Sequence, residues 1–169
     1  MTNILEKIIA EKNNSIKKYK DTFSIEDMKN KISSRVNYID FKNKLIQKKV
    51  SVIAEIKKAS PSAGIIIKNY DPKSIAKQYL NAGADCLSIL TEEKYFQGKL
   101  EHVEQVKKET KLPVLCKDFF IDPFQVYLAK SFGADAILII LSAIDGTKAR
   151  DIYNLANELN IATIVEVHN

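Results

Sequence analysis

From Val50 onward the chain alternates short apolar runs with amphipathic stretches, and this alternation limits the possible folds more than any other feature. The runs lie at 50–56, 86–90, 114–116, 136–141 and 163–167, each short and rich in Val, Ile and Leu. Runs of that length and composition predict strands buried in a sheet. Helical spacing predicts helices between them, at 72–81, 100–109, 123–131 and 148–159, and Asp71-Pro72 and Asp122-Pro123 place a proline at the first helical position of two of them. Strand, helix, strand in repetition means a parallel sheet with right-handed crossovers. An internal echo fits: Asn81-Ala82-Gly83-Ala84-Asp85 and Ser131-Phe132-Gly133-Ala134-Asp135 each lead into a strand. In both, glycine can take the left-handed conformation that ends a helix.

Ahead of Val50 the texture differs. Leu5, Ile8, Ile9, Ile16 and Tyr19 recur at helical spacing, Ser24-Ile25-Glu26-Asp27 reads as the capped start of a second helix, and a third is expected at 40–47. The expected organisation is a helical extension over 1–48 followed by sheet and helices over 49–169. Residues 1–50 hold 12 Lys/Arg against 6 Asp/Glu, while residues 51–169 hold 14 against 15. The basic excess therefore belongs to the extension. Lys17, Lys18, Lys20, Lys29 and Lys31 lack interleaved arginines, so a solvated helix face is expected there rather than a nucleic-acid surface.

The longest uninterrupted apolar run has six residues, 136–141, far below the roughly 20 that cross a bilayer. A cytoplasmic protein with no membrane partner is expected. Cys86 and Cys116 fall inside strand-like runs without metal or disulfide spacing and are expected to be reduced core residues. Gly-x-Gly-x-x-Gly, Gly-x-Ser-x-Gly and Walker sequences are all missing, which removes dinucleotide, serine-hydrolase and P-loop readings. His102 is expected on an exposed helix, and His168 at the rim or in a tail.

Polar residues gather at the carboxyl ends of the predicted strands: Glu55 and Lys57, then Thr91-Glu92-Glu93-Lys94, then Lys117-Asp118, then Ser142, then Glu166 and His168. Parallel α/β sheets and barrels build their sites at those ends. Two carboxylates and two ammonium groups can move protons on an anionic ligand.

Four segments carry a resemblance: Ala54-Glu55-Ile56-Lys57-Lys58-Ala59-Ser60-Pro61-Ser62; Leu90-Thr91-Glu92-Glu93-Lys94-Tyr95-Phe96-Gln97-Gly98; Pro113-Val114-Leu115-Cys116-Lys117-Asp118-Phe119; and Val165-Glu166-Val167-His168. In this order the chain resembles the indole-3-glycerol phosphate synthase family. The resemblance implies a (β/α)8 TIM barrel with no cofactor and no metal, a lyase of tryptophan biosynthesis that decarboxylates and dehydrates a phosphorylated anthranilate-ribulose substrate. It further implies that Lys117 is a general acid and that Glu55, Lys57 and Glu166 share proton transfer and orientation. Phe96 and Phe119 would line the aryl pocket, and Ser60 would lie near the substrate's anionic groups.

Such barrels take about 250 residues. The 169 residues here accommodate five of the eight units, so an incomplete barrel is expected, with the phosphate-binding strands supplied by a longer chain or a separate C-terminal half, and little or no turnover by this chain alone. Another phosphate-sugar barrel enzyme, or a non-catalytic remnant, is the alternative.

Overall fold

The computed structural model describes residues 4–167. The apolar stripe of the extension forms α1 (Ile4–Thr22), which buries Ile8 and Ile16. α2 (Ile25–Ser34) begins where the Ser24 hydroxyl accepts the Asp27 N–H, and α3 (Phe41–Ile46) where the Asp40 carboxylate accepts the Asn43 N–H. These side chains satisfy donors that a helix start leaves open.

The first apolar run forms a shorter strand than its composition predicts. β1 covers Ile53–Ile56, and Val50 is 76% exposed. The reason lies at Val52, whose N–H is taken by the Asp85 carboxylate and whose carbonyl accepts the N–H groups of Asp85 and Cys86. A hairpin that the sequence does not announce follows, β2 (Ala59–Ser60) against β3 (Gly64–Ile65). Then come α4 (Pro72–Asn81), β4 (Cys86–Leu90), α5 (Leu100–Glu109), β5 (Val114–Lys117), α6 (Phe124–Ser131), β6 (Ala136–Ile140), α7 (Gly146–Glu158) and β7 (Ala162–Glu166). Pro72 is the first residue of α4 as expected; Pro123 instead precedes α6 as its cap, because the Asp122 carboxylate accepts the Phe124 N–H and starts the helix one residue later. Leu141 leaves β6 for a short 3-10 turn.

β1, β4, β5, β6 and β7 form one parallel sheet in that order, the five-stranded part of an α/β barrel. Side chains alternate across it. Leu87, Ile89, Val114, Cys116, Ile137 and Ile139 pack against the helices, in a core that also takes in Ile16 and Met28 of the extension. Cys86, Leu115, Ala136, Leu138 and Ile140 form the other face, and Phe41 of α3 packs on it. Both cysteines are free and buried.

The glycine echo is structural. Gly83 and Gly133 have φ of +88° and +99°, and each turn is closed by a bond from the next N–H to a carbonyl five residues back, Ala84 to Tyr79 and Ala134 to Ala129. A third copy is hidden in the sequence because Asn160, at φ +51°, stands where glycine stood; Ile161 N–H closes it on Ala156. Asparagine tolerates that conformation better than other side chains. The aspartates of the echo fasten neighbouring strands: Asp85 holds Val52, and Asp135 accepts from the N–H groups of Val114 and Ile39.

Candidate active site

The carboxyl ends of β1 and β5 bring together three charges. Glu55 Oε1 accepts from Lys57 Nζ and Glu55 Oε2 from Lys117 Nζ, each at 2.6 Å, so one carboxylate bridges two ammonium groups. The register places them: Glu55 pairs with Ser88 on β4, and Lys117 with Leu90, so Glu55 and Lys117 share a face at successive levels of the twisted sheet. All three are part-exposed, at 28%, 32% and 37%. Burial pushes the Glu55 carboxyl up, but the hydrogen bonds from Lys117 and Lys57 outweigh it and hold the group below its ordinary value. Tyr79 Oη on α4 donates to the Glu55 carbonyl and steadies the strand end.

These groups line a cleft of about 310 Å³. Phe96 and Phe119 form one wall, their rings 6.3 Å apart and tilted by 42°. Leu138 and Ile140 are apolar lining from β6, and Ser142 and Glu166 line the side toward β7. Leu5 of α1 reaches it as well. Of the seven residues singled out from the sequence, Glu55, Lys57, Phe96, Lys117, Phe119 and Glu166 all line this cleft. Ser60 does not line it: it lies in the hairpin, where its hydroxyl accepts the Ala63 N–H. Among the described residues no group of three or more His, Cys, Asp or Glu could hold a metal ion.

The other charges at strand ends do different work. Glu92 is 2% exposed and accepts the N–H groups of Lys94, Tyr95 and Phe96, which fixes the loop that presents Phe96. Gly98 closes that loop with a bond to the Glu92 carbonyl, and a Cβ there would lie 2.2 Å from the Leu90 carbonyl oxygen. Asp118 points to Lys12 of α1, a buried pair at 2.7 Å, and also accepts from Thr91 Oγ1 and the Phe119 N–H. Around it Tyr19 donates to Glu93, Lys94 meets Glu11 at 2.7 Å, and Lys20 meets Asp122 at 2.7 Å. The face carrying Lys17, Lys18, Lys20 and Lys29 is exposed as expected, with Lys20 also reaching Asp122, while a different stripe of α1, with Glu11, Lys12 and Tyr19, docks on the rim; on α2, Lys31 Nζ lies 4.3 Å from the Phe132 ring centroid. Lys12 escaped the sequence reading, although one signal was available: it falls on the buried stripe, four residues from both Ile8 and Ile16.

His102 corrects another expectation. It is half-buried on α5 with its ring 5.3 Å from that of Tyr70, because the segment leading into α4 folds over it. Burial, then Lys99 and Lys58, push its imidazole below the ordinary value against the opposing effect of Glu101. His168 lies outside the described residues.

Fold and cleft define a class, the (β/α) barrels whose polar site opens at the carboxyl ends of the strands. The model of the family described as "Indole-3-glycerol phosphate synthase" matches residues 5–169, and this chain belongs to that family. Indole-3-glycerol phosphate synthases of Prochlorococcus marinus strains AS9601 and MIT 9215 are each 44% identical over 169 residues, 99% of this chain. The tryptophan biosynthesis protein TrpCF of Buchnera aphidicola subsp. Diuraphis noxia is 46% identical over 166 residues. The chain spans 57% of the length of the first two and 36% of the third.

Proposed function

We propose that this chain supplies the acid and base groups of an indole-3-glycerol phosphate synthase, a cytoplasmic carboxy-lyase that converts 1-(2-carboxyphenylamino)-1-deoxyribulose 5-phosphate to indole-3-glycerol phosphate, carbon dioxide and water. The observation that carries this reading is the Glu55 carboxylate clasped between Lys57 and Lys117 in a cleft walled by two phenylalanines. In ring closure the aromatic carbon attacks the substrate's carbonyl, and Lys117 protonates the developing alkoxide. Carbon dioxide then leaves, restoring the benzene ring. Departure of hydroxide needs a second protonated group and formation of the new double bond needs a base, tasks for which Lys57, Glu55 and Glu166 are at hand. Phe96 and Phe119 hold the aryl ring.

Among the described residues the sheet has two unpaired edges, at β1 and β7. Three further strands, in the same polypeptide or a separate one, close the barrel and supply the phosphate site in this reading. The test combines this chain with a polypeptide covering the part of a Prochlorococcus marinus relative that follows its matched region and follows indole-3-glycerol phosphate by its fluorescence. The chain alone is expected to turn over little or nothing and the reconstituted barrel to form product. Replacement Lys117→Met should cut the reconstituted rate by ~100-fold or more, the usual weight of a general acid. A folded, reconstituted barrel that makes no product would overturn the assignment.

A further inference from the structure

The cation most deeply buried beside the cleft is Lys12, and it belongs to the helical extension. Its Nζ lies 2.7 Å from Asp118 Oδ1, with the two side chains 4% and 8% exposed. The same carboxylate accepts the Phe119 N–H at 2.8 Å and Thr91 Oγ1 at 2.8 Å. Asp118 therefore ties together α1, the end of β4 and the backbone between two cleft residues, Lys117 and Phe119. A buried ion pair gives little stability over well-packed apolar residues, so docking alone would not require charge here. What requires it is Asp118, whose negative charge lies next in sequence to an ammonium group of the cleft and itself lines the cleft.

We propose that Lys12 is a positioning residue that cancels the charge of Asp118, so that the proton of Lys117 answers to Glu55 and not to the carboxylate beside it. The extension is then part of the electrostatics of the site. The groups facing Lys117 are Glu55 and Lys57 from β1 and Glu166 from the end of β7, with Asp118 on its own strand end. Glu92 also adds to the negative field at Lys12. The proposal rests on the reading of Lys117 as an acid, but its test needs no turnover.

The test is competitive acetylation of the full chain with acetic anhydride across neutral to alkaline pH, with labelling of Lys117 read by peptide mass spectrometry and exposed Lys68 as the internal standard. Replacement Lys12→Met leaves Asp118 uncompensated and should raise the pH midpoint of Lys117 labelling by roughly half a unit. Asp118→Asn leaves Lys12 uncompensated and should lower it. The double variant should return the midpoint to the parent value, a compensation that loss of packing would not produce. An unchanged midpoint in folded Lys12→Met, or a double variant that fails to return, overturns the proposal. Should Lys12→Met not fold by circular dichroism, Asp118→Asn decides alone: a lowered midpoint supports the proposal and any other result overturns it. If the midpoints move as described while the reconstituted barrel makes no indole-3-glycerol phosphate, the electrostatic role stands and the proposed reaction falls.

Discussion

Glu55 holds two ammonium groups with one carboxylate, and its titration follows from that. Its folded pKa lies below its ordinary value, so it binds a proton less readily folded than unfolded. The stability it contributes is present above its ordinary range and is lost as pH falls through the lowered folded value. Replacement Glu55→Gln should flatten the acid limb of melting temperature against pH, checked by thermal denaturation between pH 6 and 3. His102 has the same sign for a different reason. Its folded pKa is depressed, so protonation favours the unfolded chain, and stability is full above the ordinary imidazole value of 6.5 and declines as pH falls through it. Replacement His102→Phe, which keeps a ring against Tyr70, should remove that decline; an unchanged slope between pH 7 and 5 would show that the histidine is not its source. Both predictions concern residues visible in the sequence. What the sequence did not show is the contact itself: Lys117, 62 positions away, hydrogen-bonded to Glu55, and His102 half-buried against the Tyr70 ring.

At the scale of elements, the sequence marked strand ends as charged without separating charges that face a ligand from charges that hold loops. Glu55 and Glu92 look alike as acids at the close of apolar runs. One bridges two lysines in a cleft, and the other is buried under three backbone N–H groups. The difference comes from the path of residues 91–98, which curls back over Glu92 only because Gly98 can touch the Leu90 carbonyl. Replacement Gly98→Ala should therefore cost about 2 kcal/mol or more, as overpacking against backbone does. Urea unfolding would measure that loss, and quenching of a fluorophore bound near Phe96 would show the wall displaced. The docking of α1 was equally illegible, since its partners Glu93, Asp118 and Asp122 lie 74 to 106 positions away along the chain and helical periodicity cannot name them. The hairpin of β2 and β3 escaped because two-residue strands carry no period.

For the whole molecule, the order of strands and helices could be read from texture alone. Apolar runs of three to seven residues between amphipathic segments leave few topologies, and the chain adopts the parallel one. The closure of the sheet could not be read that way. The inner strands β4 and β6 are fully buried, whereas Ile53 on one edge is 37% exposed and Val165 on the other 47%. Unpaired strand edges with exposed apolar side chains promote association. Sedimentation of this chain should show concentration-dependent self-association that Val165→Lys weakens, and addition of the complementing strands should suppress it. A chain that stays monomeric at high concentration would mean that its edges are protected by their own twist.

Asp135 carries a last consequence. One carboxylate receives Ile39 ahead of α3, Val114 at the start of β5 and Lys107 on α5, at 2.7, 2.8 and 2.8 Å. Amide hydrogens far apart in sequence thus share a single gatekeeper. With Asp135→Asn, a donor would face a donor, and deuterium should enter the amides of Ile39 and Val114 in step, so that the extension and the sheet come open as one cooperative body.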